Sequence, residues 1–213
     1  MSKLPQLNGH EARLLGVLYE KERTVPEGYP LSVHALATGA NQKSNREPMT
    51  DWSEAEILVG ISGLLQKGLA GKVFPSGSRV EKYRHNARET LGLDDRKMAI
   101  LAELLMRGPQ TVGELRTRAN RMTELGPVEA VLADLAALAN GGFVRRVDPG
   151  PGSRVERWVQ LLSPELHSLT APSGADSGEA RASAAEPKLQ DRVASLEARV
   201  EALERALKEL GAL

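Results

Sequence analysis

The chain has 213 residues, 41% hydrophobic and 26% charged, with Lys+Arg and Asp+Glu equal at 28 each. This length fits one or two domains, and the balanced charge exerts no overall pull toward nucleic acid or anionic lipid. With no cysteine, a disulfide framework and any Cys-based zinc site are excluded, and the lack of a membrane-length apolar run or a signal-peptide stretch predicts a cytoplasmic protein without membrane contact.

Asn8 followed by Glu11 reads as an N-cap with a capping box. Leu14, Leu15 and Leu18 carry a first helix to about Glu22, where Pro26, Gly28 and Pro30 break the pattern. Ser32 caps a short second helix with Val33 and Leu36 facing inward. A polar loop follows, Asn41-Gln42-Lys43-Ser44-Asn45-Arg46-Glu47-Pro48. It suits either a self-bonded loop, in which Asn and Ser side chains satisfy the backbone, or a recognition surface. Ser53 and Glu56 form a second capping box; Ile57, Ile61 and Leu64, widened by Leu58 and Leu65, supply the apolar stripe of a third helix that Gly68 ends. Strand-like residues 69–74, a Gly/Pro/Ser turn and the basic strand through Tyr83 make a β-hairpin. Its alternation leaves the face of Tyr83 open.

The same order returns downstream. Asp94 or Asp95 caps a helix bearing Ile100, Leu101, Leu104 and Leu105, which Gly108-Pro109 ends. Thr111 and Glu114 box a short helix to about Arg121. Gly126-Pro127 starts a third helix with proline at its first position and Val128, Val131, Leu132, Leu135 and Leu138 inward; Asn140-Gly141-Gly142 stops it. The final hairpin repeats the first: Gly77-Ser78-Arg79-Val80-Glu81-Lys82-Tyr83 becomes Gly152-Ser153-Arg154-Val155-Glu156-Arg157-Trp158. Such a duplication organises the fold. Three helices and a hairpin, twice, predict a mainly α protein with small β-hairpins (α+β), built as two tandem winged-helix domains over 1–88 and 89–162.

Residues 163–187, rich in Ser, Ala, Gly and Pro, read as a flexible linker. Over 188–213, Leu189, Val193, Leu196, Val200, Leu203, Leu207 and Leu210 alternate spacings of four and three, predicting a C-terminal coiled-coil helix and a homodimer. An amphipathic helix packed on its own body is the alternative.

Catalytic signals are absent. His10, His34, His85 and His167 stand in different elements without a second ligand at metal spacing. Gly150-Pro151-Gly152 reads as a hairpin tip rather than a phosphate loop, and no nucleophile elbow occurs. No cofactor, metal or enzymatic activity is expected. Basic residues do cluster. Lys67, Lys72, Arg79, Lys82, Arg84 and Arg88 face one acid, Glu81, across residues 67–88, and Arg116, Arg118 and Arg121 gather on the second unit's short helix. They read either as phosphate contacts or as a solvated basic face. Against base reading, the third helix of the first unit starts Asp51-Trp52-Ser53-Glu54-Ala55-Glu56, and its counterpart carries Glu129 and Asp134 with no basic residue.

The string Tyr29-Pro30-Leu31-Ser32-Val33, the loop Asn41–Pro48, the Gly77-Ser78-Arg79-Val80 turn before Lys82-Tyr83, and Arg107-Gly108-Pro109-Gln110-Thr111 with Gly113-Glu114-Leu115-Arg116 together resemble the YceH family of uncharacterised bacterial proteins. The resemblance covers essentially the whole chain. It implies tandem winged helices in the bacterial cytoplasm and implies no activity. Two functions follow as expectations. One is a DNA-associated regulatory dimer gripping double-stranded DNA with Lys72, Arg79, Lys82 and Arg84, neighboured by Lys43 and Arg46 and, in the second unit, by Arg116, Arg118 and Arg154. The other is a protein–protein adaptor using its winged-helix surfaces and coiled coil. A continuous basic stripe favours the first; an exposed apolar groove favours the second.

Overall fold

The computed structural model describes residues 4–74, 80–148 and 155–167. The C-terminal heptad residues and both arginines of the repeated turn, Arg79 and Arg154, lie outside them.

Helix α1 (Gly9–Thr24) begins with the expected capping box: Asn8 Oδ1 accepts from the Glu11 amide at 2.9 Å, and the Glu11 carboxylate accepts from the Asn8 amide at 2.9 Å. It is the axis of the molecule, buried continuously from Glu11 to Glu20. A helix covered on all sides belongs at the centre of a core rather than at its edge. A 3-10 turn (Pro26–Gly28) leads to α2 (Val33–Ala40), capped by Ser32, and a loop leads to α3 (Glu54–Gln66), capped by the Ser53–Glu56 box. Gly68, at φ +69°, takes the left-handed position past the end of α3.

Strands β1 (Ala70–Val73) and β2 (Lys82–His85) pair antiparallel, with Ala70 opposite His85 and Val73 opposite Lys82. Leu31, between the 3-10 turn and α2, adds a one-residue third strand. It exchanges backbone hydrogen bonds of 3.0 and 2.8 Å with Tyr83. The Tyr83 side chain, whose face the sequence leaves open, points into the core. A short helix absent from the sequence reading, α4 (Ala87–Leu91), ends at Gly92 and joins the halves.

The second half repeats the plan: α5 (Asp95–Arg107), α6 (Val112–Ala119), α7 (Val128–Asn140), β3 (Val144–Val147) and β4 (Arg157–Gln160). Gln110 pairs with Trp158 by backbone bonds of 3.1 and 2.7 Å, as Leu31 pairs with Tyr83. The order of elements and this extra bridge therefore recur together. Asp94 is the cap of α5, accepting from the Lys97 amide at 3.0 Å, while Asp95 turns to Arg23 and Arg88.

Three expectations shift. Pro127 is the N-cap of α7 rather than its first helical residue. Val128 and Leu132 on α7, and Leu58 on α3, are exposed, because the buried seam of each helix is one row narrower than its apolar arc. Residues 163–167 are not linker. The Gln160 side chain brackets Ser163 at 2.6 and 2.8 Å, and His167 Nε2 meets the Glu47 carbonyl at 2.7 Å.

The two halves share one core through α1 and α5. Gly16 makes their close approach possible: a Cβ there would sit 2.7 Å from Met106 Cγ and 3.1 Å from the Ala102 carbonyl. No helix among the described residues is long and apolar enough to cross a membrane.

Candidate interaction surface

The polar loop between α2 and α3 is bonded to its own backbone and to α1. Asn41 accepts from the Trp52 amide at 2.9 Å and donates to the Trp52 carbonyl at 2.8 Å, closing the loop from inside. Asn45 adopts φ +62°, a conformation its short polar side chain tolerates, and this turns Arg46 inward. The Arg46 guanidinium is fully buried and uses every nitrogen. Nε donates to the Gly39 carbonyl (2.9 Å), Nη1 to Asn45 O (2.9 Å) and Glu20 Oε1 (3.3 Å), and Nη2 to Gln42 Oε1 (2.8 Å) and Glu20 Oε2. Arg46 is therefore no phosphate ligand in this arrangement. The loop is self-bonded through Asn41 and Arg46, while Lys43, Ser44, Asn45, Glu47 and Pro48 are exposed.

Glu20 carries the connection onward. Arg121 Nη2 donates to Glu20 Oε1 at 2.8 Å, its Nη1 lies 2.8 Å from Glu103 Oε2, and Arg107 Nε lies 3.2 Å from Glu103 Oε1. Burial alone pushes the Glu20 carboxyl pKa up, but Arg46 and Arg121 outweigh it and hold the group below the ordinary carboxylate value. Charged side chains from α1, the loop, α5 and the turn after α6 thus join the two halves. Arg13, also buried in α1, donates to the carbonyls of Ala40 (3.2 Å) and Pro48 (2.7 Å).

The remaining basic candidates divide. Lys72 is exposed and paired with Glu81 at 2.9 Å; Arg84 is exposed and Lys82 half-buried on β2. Lys43 is exposed at the turn of the polar loop. Arg116 is exposed and caps the Gly126 carbonyl at 2.8 Å. Arg118 is held by Gln110 at 2.9 Å and Glu114 at 3.4 Å. The structure gathers Lys72, Lys82 and Arg84 on one hairpin. It assigns Arg118 to packing of its own half.

The outer faces of α3 and α7 are where the chain leaves apolar surface uncovered. On α3, Leu58 is 45% and Val59 69% exposed, alongside exposed Ala55 and Ser62 at helical spacing. On α7, Val128 is 38% and Leu132 44% exposed, with Ala133 and Ala136 beside them. Neither helix contains Lys or Arg. Sequence reasoning placed Leu58 and Leu132 in the core. The signal it passed over was the width of the stripe: Ile57, Leu58, Val59, Ile61, Leu64 and Leu65 span more arc than one packed face needs. Among the described residues, no group of three or more His, Asp or Glu is placed to hold a metal ion.

Residues 7–153 match a family model described as "Protein of unknown function, DUF480". The chain is 43% identical over 214 residues to a UPF0502 protein of Dechloromonas aromatica, covering 98% of this chain and 94% of that one. A UPF0502 protein of Shewanella loihica is 41% identical, with 96% and 98% covered. One from Geotalea uraniireducens is 46% identical over 157 residues, with 73% and 71% covered.

Proposed function

The chain belongs to the DUF480 family, and from that premise we propose that it is a cytoplasmic, non-enzymatic adaptor whose two halves are winged helices that bind a partner protein. Support for the winged-helix assignment lies in the repeated order of three helices and a hairpin, with Leu31 and Gln110 each adding a third strand residue to its hairpin. In that assignment α3 and α7 occupy the recognition-helix position.

One observation carries the adaptor reading. The outer faces of α3 and α7 present exposed Leu58, Val59, Val128 and Leu132 and no basic residue. A helix that reads DNA offers Arg, Lys, Asn or Gln to base edges and phosphates; an uncovered apolar face suits a protein. A second reading has its own support. Lys72, Lys82 and Arg84 on the first hairpin, and exposed Arg145 and Arg146 on β3, suit phosphate contacts by the hairpins without base reading.

In-cell cross-linking of the tagged full chain, with recovered protein and DNA both quantified, separates the two. The adaptor reading expects a stoichiometric partner protein, and only weak binding of a generic duplex at low salt. Recovery of DNA without protein, together with duplex binding that falls steeply as salt rises, would replace it by the hairpin-phosphate reading.

A further inference from the structure

Resting on the adaptor reading, we propose that the outer face of α3 is a docking site for a basic amphipathic helix of a partner protein. The partner's apolar stripe would pack on Ala55, Leu58, Val59 and Ser62, and its lysines or arginines would meet Asp51, Glu54 and Glu56. Positions 55, 58, 59 and 62 follow one another at i, i+3, i+4 and i+7, the ridge against which a second helix seats. All four are exposed. Small Ala55 and Ser62 flank the two larger residues and let a second backbone come close.

Charge selects the occupant. Asp51, Glu54 and Glu56 are exposed at the start of α3, and the helix itself has no cation to offset them. Glu54 faces His34 at 3.0 Å, and Glu56 accepts from the Ser53 amide and hydroxyl, so three carboxylates stand here against one histidine. The same face on a second copy would set carboxylate against carboxylate, and nucleic-acid phosphates or anionic lipids would be repelled as well. The counterpart helix differs. Near its start Arg116 caps Gly126, Glu129 is its one exposed first-turn acid, and its Asp134 is covered by Arg96 at 2.8 Å with Lys97 at 4.0 Å. Both faces are acidic and apolar, but α3 opens with three exposed carboxylates, Asp51, Glu54 and Glu56, against Glu129 alone in the first turn of α7, and this difference directs the cationic helix to α3.

The full chain is titrated into a labelled peptide of leucine and lysine, about four helical turns long with leucines at helical spacing. A leucine–glutamate peptide of the same pattern is the control, and fluorescence anisotropy is the readout. The lysine peptide binds and the glutamate peptide does not. Leu58→Asp with Val59→Asp weakens binding at least about tenfold, Asp51→Lys with Glu54→Lys does the same, and Leu132→Asp on α7 leaves it unchanged. These positions are exposed, and unchanged circular dichroism confirms that each variant folds. Equal binding of both peptides, no binding of either, or an equal loss in Leu132→Asp overturns the proposal. Should the peptide fail while in-cell cross-linking still yields a partner protein, the α3 site falls and the adaptor reading stands. If both fail, both fall.

Discussion

Replacing Arg46 by Ala tests whether the polar loop is a structural joint. The substitution removes a buried guanidinium that donates to Glu20, Gln42 and the carbonyls of Gly39 and Asn45. Removing one partner of a buried ion pair costs about 3–5 kcal/mol, because the other charge stays buried without its counterion. Here Arg121 still faces Glu20 at 2.8 Å, so the carboxylate keeps one partner and the loss falls near the lower end, about 3 kcal/mol. For a body of this size that lowers Tm by roughly 6–12 °C. Lys43→Ala, three residues earlier on the exposed side of the same loop, is the control and should stay within about 0.5 kcal/mol of the parent. Circular dichroism melts of the three proteins decide. If Arg46→Ala melts with Lys43→Ala, the guanidinium is not holding the loop, and Arg46 returns to the list of residues available to a ligand.

Burial holds the His167 imidazole at about 4, against 6.5 when exposed. The folded chain therefore excludes a proton that the unfolded chain binds between those values. The contribution is complete above pH 6.5 and lost as pH falls toward 4. Acidifying from pH 7 to 5 should cost the parent about 2 kcal/mol from this group, and His167→Gln, which keeps a donor for the Glu47 carbonyl without titrating, should flatten the profile; an unchanged slope refutes the assignment. Gly16→Val should destabilise by about 1–3 kcal/mol in a chemical-denaturation titration, because the added side chain meets α5. Sedimentation of the full chain against a truncation after Pro187 tests the heptads. With Val193, Val200 and Leu207 at a and Leu196, Leu203 and Leu210 at d, the truncation should lose a parallel dimer; an unchanged dimer fraction would place self-association elsewhere.

Much of the fold was legible because its signals are local. The Asn8–Glu11, Ser53–Glu56 and Thr111–Glu114 boxes each mark a helix start within four residues, and all three form. The hairpin repeat assigns Tyr83 and Trp158 to equivalent strands, and they occupy β2 and β4. Long-range choices were not legible. Nothing in the composition of the polar loop separates buried Arg46 from exposed Lys43; the difference is whether Glu20, 26 residues away, lies beneath the side chain. Leu31 and Gln110 form strands one residue long, too short to carry a period of two. Leu58 and Leu132 look like core because periodicity reports the width of an apolar arc but not how much of it a neighbour covers. Ser163 and His167 sit in a linker-like composition, yet two hydrogen bonds with Gln160 and one to the Glu47 carbonyl tie them down.

The packing of α1 on α5 brings the first helix of each half together within one chain. Covalent fusion changes what such a pair is able to become. A non-covalent twofold dimer comes apart on dilution and must carry every substitution on both of its faces at once. Here dilution does not separate the halves, and each drifts on its own. The start of α3 carries three exposed acids where the first turn of α7 carries Glu129, a difference between halves that a homodimer of single units does not possess.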